Sequence, residues 1–125
     1  MQIARFDIYR AKIQFGKSVD PRPCIVLREP TQDPDAPPGT LVVLVAPLSS
    51  QMDLYDPSRH FLLDDVDVDF AATGLRRKSY VIATAPAHVP VALLEKKYGA
   101  LAGDLLVRFL FWLPGVSSSE AGPST

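Results

Sequence analysis

Residues 40–48 read Thr-Leu-Val-Val-Leu-Val-Ala-Pro-Leu. This run is rich in β-branched side chains and is flanked by loop chemistry on both sides, so it is the strongest strand signal in the chain. A second, shorter run, Cys24 to Leu27 (CIVL), has the same unbroken apolar character and predicts a second central strand. Around these two runs the pattern changes to alternation. Phe6, Ile8, Ala11 and Ile13 are apolar with Asp7, Arg10 and Lys12 between them, the period of a half-buried strand with a slip near Tyr9 and Arg10. His60 to Phe70 sets Leu63, Val66, Val68 and Phe70 against Asp65, Asp67 and Asp69, and SYVIAT from Ser79 to Thr84 predicts another strand. Ala85 to Pro90 reads as extended because two prolines forbid a helix interior there.

The remaining segments read as follows. Gln14 to Pro21 (QFGKSVDP) is a turn-forming loop, and Pro30 to Gly39 (PTQDPDAPPG) is a loop that no regular element survives. Ser49 to Ser58 is a loop or a single helical turn, and Thr73-Gly74 a turn. Val91 to Tyr98 predicts a short helix ended by Gly99. Ala102 to Leu113 predicts a helix with apolar residues on more than one face, stopped by Pro114. The resulting expectation is a mainly β (α+β) domain at 1–113, a small bent antiparallel barrel or sheet with a C-terminal helix, followed by a flexible, low-complexity tail at 114–125.

Composition bounds the function. A chain of 125 residues is one domain, and 47% apolar with 22% charged residues excludes global disorder. The net charge of −1 excludes a broadly basic nucleic-acid binder. Its distribution is uneven: residues 1–28 carry +4, residues 29–69 carry −8, and residues 70–125 carry +3. Two basic segments brought together by the fold form an anion-binding surface; left apart, they are solvated strand faces. A lone Cys24 excludes an internal disulfide and a cysteine zinc cage. The charged N-terminus MQIARFDIYRAK lacks the apolar core of a signal peptide, and Leu105 to Leu113 is too short to span a bilayer, so a soluble cytoplasmic protein is expected.

Few residues offer chemistry. Cys24 lies in an apolar strand and reads as a small core residue. His60 and His88 read either as an acid–base pair for RNA cleavage or as two ordinary histidines. Asp65, Asp67 and Asp69 on one strand face read either as oxygen ligands for Mg²⁺ or as a solvated edge, with Asp64 facing away. Arg76-Arg77-Lys78 after the Thr73-Gly74 turn form a cationic loop suited to phosphate. Ser49, Ser50 and Gln51 end the best strand, where side chains become accessible. Arg22, held between Pro21 and Pro23 at the head of a core strand, is a good ligand for a phosphate or a developing phosphorane.

The order of these segments resembles the MazF/PemK family of toxin endoribonucleases. The resemblance rests on FDIYRAKI, RPCIVL from Arg22 to Leu27, VVLVAPLSSQ, GLRRKSYVI from Gly74 to Ile82, and the C-terminal YGALAGDLLVRFLFWL, and it covers about residues 5–113. It implies an SH3-like barrel of the MazF/PemK/CcdB type and a homodimer. It also implies the toxin half of a type II toxin–antitoxin pair: a metal-independent, cofactor-free endoribonuclease that cuts single-stranded RNA at short sequences to 2′,3′-cyclic phosphate and 5′-OH ends, restrained by an antitoxin protein. By the same resemblance Arg22 and Ser49 form the catalytic pair, Ser49 standing where the family has Thr. Lys17, Ser50, Gln51, Arg76, Arg77, Lys78 and Ser79 line the RNA path. Ala83 and Thr84 replace an acidic or amide pair found in the family. The alternative on the same fold is a non-catalytic toxin, a CcdB-like DNA gyrase poison or a binding-only relative. No membrane partner is expected.

Overall fold

The two apolar runs pair with each other. In the computed structural model, which describes residues 2–12, 21–84 and 86–121 with side chains up to Leu113, the chain runs β1 (Asp7–Ala11), β2 (Arg22–Gln32), β3 (Leu41–Ser49), β4 (Phe61–Leu63), β5 (Ser79–Val81), β6 (Ala87–Pro90), β7 (Leu94–Ala100) and α1 (Gly103–Ala121). β2 and β3 are antiparallel, with Cys24 opposite Pro47, Ile25 opposite Ala46 and Val26 opposite Val45. The hydrogen-bonded order is β4-β5-β3-β2-β1-β7, an open, bent antiparallel sheet. The second edge of β3 is shared: β6 takes Val42 to Val45 and β5 takes Leu48 and Ser49.

Both faces of the central strands are covered, which is why they read as continuous apolar runs. Ile25, Leu27, Ala46 and Leu48 face one cluster with Phe61, Leu63, Val81 and the helix residues Leu105, Phe109 and Leu113. Cys24, Val26, Val43 and Val45 face the other with Tyr9, Val89 and Leu94. Burial pushes the Cys24 thiol up to about 12, so it stays protonated and acts as a small apolar side chain. No helix among the described residues is long and apolar enough to cross a membrane.

The structure departs from the sequence reading in four places. The alternation at His60 to Phe70 yields only the three residues of β4. Beyond Leu63, the Asp64 Oδ1 accepts the Val66 N–H at 3.2 Å and the Asp67 Oδ1 accepts the Asp69 N–H at 3.0 Å, so the side chains close turns in place of a ladder. Val66 and Val68 are left exposed. Two of the three carboxylates of the candidate metal-facing row instead secure α1: the Asp69 Oδ2 accepts the Asp104 N–H at 3.0 Å, and Asp67 pairs with Arg108.

Val91 to Tyr98 forms a single 3-10 turn, Val91–Leu93, and then β7. LLEKKYG has helical propensity, but pairing with the edge of β1 overrides it. β2 continues through Pro30 to Gln32, its register shifting between Val26 and Arg28 and again before Thr31, as bulges accommodate a strand proline. Finally, α1 continues past Pro114 to Ala121; proline there forfeits one backbone donor without ending the helix.

Candidate functional site

Antiparallel pairing sets the geometry of the site. Carrying the Cys24–Pro47 register two residues outward puts Arg22 opposite Ser49, at the open end of β2 and β3. On the other side of β2, Ala11 of β1 pairs with Arg22. Two residues far apart in sequence therefore meet because a proline-flanked strand head faces a strand end. Both line a cleft of about 480 Å³.

Among the described residues, that cleft gathers Arg10, Arg22, Arg76, Arg77 and Lys96, and none of those that line it is a carboxylate. Arg10 and Arg22 come from the basic N-terminal segment; the other three come from the basic C-terminal one. The fold thus brings the two basic segments together. Arg10 lies opposite Lys96 in the β1–β7 pairing, and its charge is shared with Glu95 at 3.3 Å.

The wall carrying Arg76 and Arg77 is held rigidly. Gly74 adopts φ +73°, and a Cβ there would lie 2.0 Å from the Tyr98 carbonyl oxygen. A Cβ on Gly99 would lie 2.1 Å from the Ala72 carbonyl oxygen. The 3-10 turn Phe70–Thr73 and β7 therefore meet backbone to backbone at two glycines, and Leu75 to Arg77 leave that junction along the cleft. The buried Ser79 hydroxyl donates to the Arg77 carbonyl at 2.9 Å, which fixes the wall's far end.

Ser49 is buried, and its Oγ accepts the Gln51 N–H at 3.1 Å. This leaves the hydroxyl hydrogen to donate elsewhere. The Gln51 carbonyl accepts the Tyr80 hydroxyl at 3.1 Å, so the Ser49–Gln51 turn is held from both sides. Arg22, Ser49 and Gln51 also line a second cleft of about 320 Å³, with Arg59, His60, Tyr80 and Thr84.

Of the residues expected from sequence, Arg22, Ser49, Ser50, Gln51, Arg76, Arg77 and Ser79 all line the larger cleft. Lys78 does not; its Nζ lies 3.9 Å from Asp64. Lys17 lies outside the described residues. Sequence reasoning missed Arg10 and Lys96, although the charge partition contained the signal. The proposed pairing of His60 with His88 fails: His88 lies opposite Leu44 and His60 lines the cleft at Ser49, about 16 Å away along β3.

No family model matches the chain, and no curated protein matches it. Among solved structures it is similar to the Mycobacterium tuberculosis toxin MazF-mt6, with 19% sequence identity over 90% of this chain and 96% of that chain, at a TM-score of 0.62. The chain therefore has a MazF/PemK-like fold.

Proposed function

We propose that this protein is a toxin of the MazF/PemK type that cleaves single-stranded RNA, acting as a homodimer and restrained by an antitoxin. The observation that carries the reading is the meeting of Arg22 with Ser49 in a cleft whose described lining residues include five cations and no carboxylate. The fold shared with MazF-mt6 supports it.

The chemistry follows from these residue types. The RNA 2′-oxygen attacks its own phosphorus, the bond from phosphorus to the 5′-oxygen breaks, and the proton lost by the 2′-hydroxyl ends, by way of water, on the departing 5′-oxygen. The products are a 2′,3′-cyclic phosphate and a 5′-OH. No protein nucleophile is needed; alignment and stabilisation of charge on the phosphorane are. Arg22 supplies a planar cation for the non-bridging oxygens, and Ser49 donates its hydroxyl hydrogen to one of them. Arg76 and Arg77 carry the flanking phosphates. The exposed Val107, Leu110 and Phe111 on the outer side of α1 give the second subunit or the antitoxin an apolar surface to cover.

The test is purified protein with a long unstructured RNA in EDTA, with the product ends mapped. Discrete cuts ending in 5′-OH, lost in Arg22→Ala, are expected. Intact RNA from folded protein would refute the reading and turn attention to a CcdB-like gyrase poison; cuts that survive Arg22→Ala would refute the mechanism assigned to Arg22.

A further inference from the structure

The smaller cleft differs in character from the larger one. Beyond the shared ridge of Arg22, Ser49 and Gln51 it is lined by Leu54, which is 60% exposed, by Ile82 and by the rings of His60 and Tyr80. A partly apolar lining with aromatic rings and one ring donor suits a nucleobase, as the cationic cleft suits phosphates.

The imidazole of His60 is unusually well fixed. Its Nδ1 accepts the Asp56 N–H at 2.9 Å, so in the neutral form the hydrogen resides on Nε2. The ring stacks on Tyr80, centroids 4.6 Å apart, and Tyr55 packs on both at 5.5 Å from Tyr80 and 6.2 Å from His60. Around it stand Arg59 and Asp56 of its own loop, Tyr80 of β5 and Arg22 of β2. Burial, then the Arg59 charge, hold its pKa below the usual histidine value, against the opposing pull of Asp56. In the neutral ring Nε2 already carries the hydrogen and the one basic lone pair, on Nδ1, is engaged by the Asp56 N–H, so His60 is a poor general base; it is a positioned hydrogen-bond donor.

We infer that the smaller cleft holds the nucleobase flanking the scissile phosphate, and that His60 selects that base by donating its Nε2 hydrogen to a ring nitrogen or carbonyl oxygen on the base edge. The inference rests on the RNA-cleaving reading above. The two clefts then divide the substrate at the ridge: phosphates run on one side and a base is splayed to the other.

The experiment is cleavage of a randomised RNA library, with cut sites sequenced for the wild type, His60→Ala and His60→Gln. The wild type is expected to prefer a base at one position beside the cut. His60→Ala should lower that preference about tenfold at that position alone, since one donor to a buried acceptor is lost. His60→Gln, which retains a donor, should fall between them. An unchanged preference at every position in His60→Ala overturns the inference.

A second measurement separates it from the wider reading. Ring-proton shifts of His60 in the wild type are followed by NMR with each nucleoside monophosphate and with inorganic phosphate. Base-dependent shifts support the subsite even if no RNA is cut, in which case only the nuclease reading fails. No shift, or equal shifts with inorganic phosphate, overturns the subsite, including where His60→Ala does not fold.

Discussion

Replacing Arg76 and Arg77 together by Ala tests whether the larger cleft follows the RNA backbone. For a single strand, each phosphate neutralised contributes a slope of about −0.7 in log affinity against log salt. The five cations among the described lining residues give a slope of about −3.5, reduced to the extent that Arg10 shares its charge with Glu95 at 3.3 Å. Between 50 and 200 mM salt, that slope costs roughly 100-fold in affinity. With both arginines gone the slope falls to about −2.1, and the same interval costs roughly 20-fold. Fluorescence anisotropy measures this with an oligonucleotide carrying a 2′-deoxy sugar at the cut, which binds but cannot react. Both arginines are exposed at the end of a glycine-fixed turn, so the fold tolerates their loss. Lys12→Ala is the control: its Nζ lies 3.9 Å from Glu95 and it does not line the cleft, so it should leave the slope alone. A double variant whose slope changes by less than about 0.5 would refute the placement of RNA phosphates along this wall.

Two further substitutions test what holds the site in place. Gly74→Ala puts a methyl 2.0 Å from the Tyr98 carbonyl oxygen at a positive φ; a loss of about 3 kcal/mol and about 10 °C in Tm is expected by calorimetry, with a matching loss of RNA cleavage, and a Tm within about 2 °C of wild type would contradict it. Asp69→Ala removes the acceptor for the Asp104 and Leu105 N–H groups at the start of α1 and should cost about 1–2 kcal/mol in urea unfolding, whereas Asp69→Asn, which keeps an acceptor, should cost less; equal losses would show that the cap is not the cause.

The parts of the fold legible in the sequence are those in which one residue's burial is decided by its neighbours in the chain. The runs at 24–27 and 41–48 are apolar on both faces because two clusters sandwich β2 and β3, and no other arrangement hides them. Where burial depends on distant partners, local pattern misleads. Val66 and Val68 alternate with aspartates as a strand would, yet they are exposed, because Asp64 and Asp67 each accept a backbone amide two residues ahead and close turns in place of a ladder. LLEKKYG fails in the opposite sense: a helix-prone stretch becomes β7 because the edge of β1 is vacant beside it.

The candidate site divides along the same line. Arg22 and Ser49 were accessible from the sequence because each lies at the boundary of a strand the pattern defines, and antiparallel pairing of those strands then sets them opposite each other. The cations of the larger cleft were accessible as an imbalance of charge between segments, although Arg10 and Lys96 could not be picked out without the β1–β7 register. The wall of the smaller cleft was not accessible at all. His60 reaches it from the loop between β3 and β4, and Tyr80 from β5; nothing in their spacing relates them to Gln51. That asymmetry has a physical basis. Binding a phosphate needs charge and a strand end, both of which a local pattern reveals. Selecting a base needs a ring donor held at one angle, and that angle depends on the Tyr80 stack and the Asp56 N–H together. If the smaller cleft holds the base as inferred, substitutions confined to the 55–60 loop should change the preferred base and leave Arg22, Ser49 and the cationic wall at work.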